Sequence, residues 1–209
     1  MINTASASKA GATPGTPTYQ LLVELDWVKP KVWRRLLVPV TIELPLLHVM
    51  LLWAMGWDGG HLHEFVFGHD HYGPSEADLD LPDEVGDEDG VTLRDALGTR
   101  KSFLYIYDYG DSWRHKVKVE KIVMPQEPVA SALCIGGENA CPPEDVGGAP
   151  GYAEFLVALA GPTHPGHGDR EGMDRRFVRS QGLRHRRSEP TAYSARGLSV
   201  NHGFRRTLT

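Results

Sequence analysis

The chain has 209 residues, of which 41% are hydrophobic and 23% charged, and these values are typical of one globular domain with tails. It contains no run of 18 or more apolar residues, and its first 17 residues lack the charged start and apolar stretch of a secretion signal. We therefore expect a cytoplasmic protein with no membrane partner. Two cysteines, Cys134 and Cys141, are too few for a disulfide framework.

The net charge of −5 is unevenly distributed along the chain. Residues 172–209 contain nine Arg, no Lys and two acidic residues, so this tail carries +7 and the remaining residues carry −12. A basic tail is typical of an arm that contacts nucleic-acid phosphates. The acidic remainder of the chain, however, disfavours unaided binding to DNA.

A shift of reading frame near Glu171 is another explanation of the tail. Residues 173–189, back-translated with GC-rich codons and read one base out of frame, give WIGGSFDPRAFDIDAAN. That string has a Gly-Gly turn, a Phe-Asp-Pro helix start and alternating apolar positions, which the sequence MDRRFVRSQGLRHRRSE does not have. We hypothesise a frameshift, and a natural Arg-rich disordered arm is the alternative.

The elements in chain order predict one α+β domain over residues 18–168, after a flexible leader at 1–17 and before a disordered Arg-rich tail at 169–209. Residues 19–26 and 32–39 have strand composition, and Trp27–Pro30 suits the turn of a hairpin between them. Thr41 is a suitable cap for an apolar helix that runs to Met55. Residues 61–67 then alternate as a third strand, which places His61 and His63 on one side of it.

The second half of the domain begins with an acidic segment. Residues 76–89 contain eight acids and no base, which predicts a solvated loop. Thr92 then caps a short helix that ends at Leu97, and residues 103–108 and 113–120 form a second hairpin. Its charged face, which we expect in water, consists of Arg114, Lys116, Lys118 and Glu120.

The last part of the domain combines a Gly/Pro-rich loop and a helix. The loop spans residues 134–148 and the apolar helix spans 151–160. The predicted fold is therefore α+β, with an antiparallel mixed-order sheet of about five strands, two hairpins plus one strand, packed against two main helices.

Four strings stand in order along the chain: VWRRLLVP, LLHVMLLWAMGWDGGHLHEF, YIYDYGDSWRHKVKVE and CIGGENACPPEDVGGAPGYAEFL. Each is weak alone, but the ordered set resembles the plasmid pRiA4b ORF-3-like family over about residues 18–167. The resemblance implies an α+β fold and frequent presence on plasmids and in insertion elements, and it supplies no mechanism. Family members often carry a third Cys after PPED, where this chain has Val146, and the frame-shifted string restores the closing segment typical of the family.

The polar residues of the third strand, the second hairpin and the Gly/Pro-rich loop form a candidate site. Two or three imidazoles with carboxylates can bind a divalent metal, whose bound water would be activated for hydrolysis. The candidate metal ligands are His61, His63 and His115. The candidate catalytic residues are Asp108, Asp111, Glu144 and Asp145, of which Glu144 or Asp145 would act as general base. The candidate ligand-binding residues are Trp57, Tyr107, Trp113 and Arg114.

Structural roles compete with each of these assignments. His63 and His115 lie among apolar neighbours and could be hydrogen-bonded core residues, while Asp108 and Asp111 suit a turn. The sequence contains no complete set of nucleophile, base and orienting residue, no phosphate loop and no paired-cysteine motif. We therefore expect a non-catalytic binding or accessory module for a peptide, protein or small ligand. The alternatives are a metal-dependent hydrolase or nuclease and a DNA-associated partner of transposition.

Overall fold

One mixed sheet of eight strands organises the part of the chain that the computed structural model describes, residues 15–74 and 84–160. The strands are β1 (Thr18–Leu25), β2 (Trp33–Pro39), β3 (His63–Phe67), β4 (Asp70–Gly73), β5 (Val85–Asp87), β6 (Ser102–Tyr107), β7 (Trp113–Val123) and β8 (Leu133–Glu138). The helices are α1 (Leu44–Met55), α2 (Leu93–Leu97) and α3 (Gly148–Ala160). The strand order is β5-β4-β3-β6-β7-β1-β2-β8. The predicted tail, and all but the last residues of the predicted leader, lie outside the described residues.

The expectation of about five strands packed against two main helices is wrong, because the sheet has eight strands and the described chain has three helices. The two predicted hairpins form β1–β2 and β6–β7, and the predicted third strand forms β3. The strands that the prediction missed are β4, β5 and β8. β5 and β8 are the edges of the sheet, and β5 pairs in parallel with β4, which makes the sheet mixed. Short edge strands depend on pairing with a neighbour more than on their own composition. The sequence LCIGGE of β8 is rich in glycine, and it was therefore assigned to the predicted loop over residues 134–148.

The core lies on one face of the sheet, where α1 packs. Residues of β1, β2 and β6 alternate between buried and more exposed, so that Leu21, Leu36 and Tyr105 are fully buried. Phe65 of β3 is also fully buried. α1 contacts this face through His48, whose ring stacks on that of His63 with centroids 3.5 Å apart. The apolar side of α1 joins the same hydrophobic cluster.

The helix boundaries follow from local chemistry. α1 begins at Leu44, with Glu43 as its N-cap and proline in its first turn, so the expected cap at Thr41 is wrong. Proline fixes a helical φ and lacks an N–H, which suits this position. At the other end Gly56 adopts a left-handed φ of 79° and donates to the carbonyls of Leu52 and Trp53.

The second helix begins as the sequence predicts, because the Thr92 hydroxyl accepts a hydrogen bond from the Asp95 amide. Among the described helices, none has both the length and the apolar character needed to span a bilayer.

The aromatic centre of the core generates a stability prediction. Phe65 is fully buried, and its ring centroid lies 5.0 Å from that of Tyr105 and 6.2 Å from that of Phe103. Phe65→Ala should lower the free energy of unfolding by about 3–5 kcal/mol in urea denaturation, because the lost contacts leave a cavity. Val66→Ala, on the opposite face of the same strand, is the control and should cost much less. Equal losses for the two variants would contradict this placement of the core.

Candidate functional site

Three segments distant in sequence meet at one end of the sheet. β3 begins where β6 ends, with His63 paired to Tyr107, and Tyr107 pairs with Trp113 across the second hairpin. The residues before β3 and the β6–β7 turn therefore lie together. The loop that follows β8 joins them through the hydrogen bonds of Glu144 and Gly147. We call this region the site end of the sheet and define it by residues 57–62, 108–112 and 139–148.

Glu144 joins two of these segments. One of its carboxylate oxygens, Oε1, accepts a hydrogen bond of 2.6 Å from the Tyr107 hydroxyl, and the other, Oε2, accepts one of 2.8 Å from the Asp58 amide. The Gly59 amide also donates to Oε1, at 3.4 Å. Burial and the hydrogen bond to Glu144 raise the pKa of Tyr107 above its ordinary value, so this hydroxyl stays a donor. Glu144 thus ties the segment after α1 to the loop and to β6.

The β6–β7 turn is shaped by two aspartates. Asp108 adopts a left-handed φ of 58°, and its Oδ1 accepts hydrogen bonds from the Gly110 amide at 2.9 Å and the Asp111 amide at 3.3 Å. Asp111 accepts a hydrogen bond of 3.0 Å from the Gly147 amide. A Cβ at Gly148 would lie 2.6 Å from the Asp111 carbonyl oxygen, so only glycine allows the loop to pack this closely on the turn.

A cluster of potential metal ligands lies beside this turn. Nδ1 of His61 lies 3.7 Å from Oδ1 of Asp108, and Nε2 of His61 lies 3.1 Å from Oδ1 of Asp145. One ligand atom from each of the three side chains lies within 4.8 Å of the other two. The exposed fraction is 11% for the Asp108 side chain, 33% for His61 and 72% for Asp145, so the cluster faces solvent on one side.

His63 lies apart from His61. His61 precedes β3, so strand alternation does not place the two histidines on one face. The His63 side chain is buried, and its Nε2 lies 2.9 Å from Oε2 of Glu88. Its ring stacks on that of His48, whose pKa is lowered to about 3 by burial and by His63.

Glu88 is the partner that sequence reasoning missed. It lies in the acidic segment predicted to be a solvated loop, yet its side chain is only 5% exposed. Residues 85–87 of that segment form β5, so the loop prediction is wrong there. The part of the segment at residues 75–83 lies outside the described residues.

His115 is a core residue. It is fully buried, with Nδ1 3.2 Å from the Tyr105 carbonyl oxygen, and its Nε2 has no hydrogen-bond partner in the described chain. Its ring meets that of Trp57 edge-on, with centroids 5.4 Å apart. Burial lowers the pKa of His115 to about 4.

Three of the four predicted ligand-binding residues fill the space between the second hairpin and the loop. Trp57, Tyr107 and Trp113 are buried, and the Trp57 ring lies 5.2 Å from that of Tyr107 and 5.6 Å from that of Trp113. The Trp57 indole also donates to the Pro142 carbonyl at 2.8 Å. Arg114 alternates with Trp113 and lies on the other face, where its guanidinium stacks on Trp27. The sequence analysis assigned Trp27 only to a turn. A tryptophan in a turn is unusual, and this was the feature that could have marked it as a candidate functional residue.

Comparisons with known proteins cover the described domain. A family model described as plasmid pRiA4b ORF-3-like protein matches residues 17–178. The uncharacterized protein y4hQ of Sinorhizobium fredii (strain NBRC 101917 / NGR234) is 41% identical over 157 residues, which are 72% of this chain and 77% of that protein. The crystal structure of the protein of unknown function MM3350 from Methanosarcina mazei Go1 matches with a TM-score of 0.66 and 33% identity, and the match covers 74% of this chain and 87% of that one.

The buried His115 predicts a loss of stability in acid. Its pKa is about 4 in the folded chain against an ordinary value of 6.5. Above pH 6.5 the ring is neutral in both the folded and the unfolded chain, so it does not change the free energy of unfolding. Between pH 6.5 and 4 only the unfolded chain takes up the proton. The free energy of unfolding therefore falls as the pH falls. The loss should reach about 3 kcal/mol.

Urea denaturation of His115→Leu across this pH range measures the effect. The variant should lose stability less steeply than the parent, whatever its stability at neutral pH. The exposed His69 provides a control, since His69→Leu should keep the parent slope. Equal slopes in all three proteins would show that His115 takes up a proton as readily in the folded chain as in the unfolded chain. That result would contradict the prediction.

Proposed function

Because the chain belongs to the plasmid pRiA4b ORF-3-like family, as its four motifs indicated, we propose a function that rests on the site end of its sheet. The protein is a non-catalytic binding module that holds a divalent cation with His61, Asp108 and Asp145. Through the open coordination positions of that ion it binds an oxygen-bearing group of a peptide or protein partner. The observation that carries the proposal is the convergence of three ligand atoms within 4.8 Å of one another.

The chemistry of the three side chains supports a cation. An imidazole nitrogen and two carboxylate oxygens are ligands that Zn²⁺ and Mn²⁺ both accept. The two backbone amides that donate to Asp108 fix the orientation of its carboxylate, as outer-shell partners of metal ligands commonly do. Asp145 is largely exposed, so the remaining coordination positions would face solvent and a partner.

The surrounding carboxylates favour binding over hydrolysis. Hydrolysis would require a base beside the ion's bound water, and Glu144 or Asp145 was predicted for that role. Asp145 is a ligand of the ion in this proposal. Glu144 instead accepts hydrogen bonds from the Tyr107 hydroxyl and the Asp58 amide, and Asp111 accepts one from the Gly147 amide. These carboxylates stabilise the scaffold, so the hydrolase or nuclease alternative has weaker support.

Metal titration of the purified chain tests the proposal. Isothermal titration calorimetry of chelator-treated protein should detect one Zn²⁺ or Mn²⁺ site per chain. His61→Ala and Asp108→Asn should each weaken it by more than about tenfold, because loss of an outer-shell partner alone commonly costs that much. The same samples, loaded with metal, should not hydrolyse a phosphodiester substrate.

His71→Ala is the matched control, because His71 also pairs with a carboxylate, that of Glu64, at a different place on the sheet. It should bind the metal as the parent does. If His61→Ala and His71→Ala reduce the affinity equally, the ion binds to surface histidines in general and the proposed site is wrong. Metal-dependent hydrolysis that is lost in His61→Ala would establish the enzymatic alternative.

A further inference from the structure

An exposed tryptophan in an unfavourable backbone conformation marks a second surface. Trp27 lies in the turn between β1 and β2, and it is 68% exposed. Its φ is 60°, in the left-handed region that bulky residues rarely adopt. Burial in the core does not account for this residue. Backbone strain of this kind often occurs at functional sites.

Trp27 is held by a cation. The guanidinium of Arg114 lies 5.1 Å from the centroid of the Trp27 ring, at cation–π distance. Within residues 15–74 and 84–160, Arg114 forms no ion pair with a carboxylate, and its buried Nε has no hydrogen-bond partner. The exposure of the ring leaves room for a second planar group on its far side.

The strands around Trp27 are strongly basic. Residues 18–39 and 113–123 together contain eight Lys and Arg against three Asp and Glu, a net charge of +5, or +4 without the buried Arg34, in a chain whose total is −5. On β7 the basic residues recur at every second position, at Arg114, Lys116 and Lys118. They therefore point to one face of the sheet and follow one another at intervals of about 7 Å.

This face is open. Lys116 and Lys118 are exposed and Arg114 is half-buried, whereas Trp113, His115 and Val117, which alternate with them, are buried on the core side. Lys116 forms an ion pair of 2.8 Å with Asp26, and its side chain is 60% exposed. The Asp26 side chain is 12% exposed, and the ammonium group of the exposed lysine has three donors, so it can contact a phosphate while it keeps this pair.

We propose that Trp27 and the basic face of β7 form a binding surface for single-stranded nucleic acid. A base stacks on the free side of the Trp27 ring, and successive phosphates of the same strand contact Lys116 and Lys118. An aromatic platform beside a row of cations is the combination that non-specific single-strand binding uses. The charge pattern would also attract an acidic peptide, but such a peptide offers no planar ring to stack on Trp27.

Fluorescence anisotropy with a short labelled oligodeoxythymidylate and the full chain tests this surface. Trp27→Asn should weaken binding by about tenfold, since loss of one stacked base commonly has this effect. Asparagine accepts a left-handed φ, so this variant keeps the turn. Trp27→Phe should retain most of the affinity because it keeps an aromatic face.

The lysines are tested by salt dependence. Lys116→Ala with Lys118→Ala should weaken binding and lower the slope of log affinity against log salt by roughly 0.7 for each lost phosphate contact. Arg100→Ala removes an exposed cation that pairs with Asp70 of β4, three strands away from β7, and should leave both quantities unchanged. Thermal melting of each variant reports whether it is folded.

Two outcomes would overturn the proposal. If the Trp27 and the Lys116/Lys118 substitutions leave affinity at the level of Arg100→Ala, any nucleic-acid binding comes from elsewhere, such as the Arg-rich segment. If poly-glutamate binds as tightly as the oligonucleotide and Trp27→Asn affects both equally, the surface recognises acidic chains and not bases. Neither outcome bears on the metal titration, so the two proposals fail independently.

Discussion

The site end of this protein depends on the carboxylate of Glu144. Its hydrogen bonds reach the Tyr107 hydroxyl on β6 and the amides of Asp58 and Gly59 after α1, residues that are 37 to 86 positions away in sequence. A carboxylate that accepts several hydrogen bonds is held in one orientation, and bonds of this kind are stronger than those between neutral groups. His61 follows the amides that Glu144 holds, and Asp145 is the next residue after Glu144. The same contact therefore positions two of the three proposed ligands, while the turn at Asp108 positions the third.

The sheet separates three kinds of chemistry in space. One face is apolar and packs on α1, with His63 and Glu88 as a buried pair within it. The opposite face carries the basic residues of β7 and the exposed Trp27. The acidic side chains of the proposed cation site lie at the end of the sheet, on the turn and the loop. The acidic site and the basic face lie on different parts of the domain, so each can bind a ligand of opposite charge.

The sequence predicted both hairpins and the strand between them but not the full sheet, and the missed strands have physical causes. Alternation identified both hairpins because each has one buried face, and Thr92 was recognisable as a cap because its hydroxyl precedes an apolar run. β8 and β5 could not be identified, since Gly-rich or acidic edge strands have little pattern of their own. Glu88 is one of eight acids in its segment, and only the position of His63 distinguishes it from the others. The grouping of His61 with Asp108 and Asp145 depends on where β3 begins, and strand ends are the least certain part of a sequence prediction.

The most direct test of the central role of Glu144 combines amide hydrogen exchange and metal titration in Glu144→Ala. The account predicts that the Asp58 and Gly59 amides lose protection and that Zn²⁺ affinity falls, although His61, Asp108 and Asp145 are all still present. Thermal melting would show that the rest of the sheet remains folded. If those amides lose protection and Zn²⁺ binds as tightly as in the parent, the cation site does not depend on the contacts of Glu144, and the account is wrong.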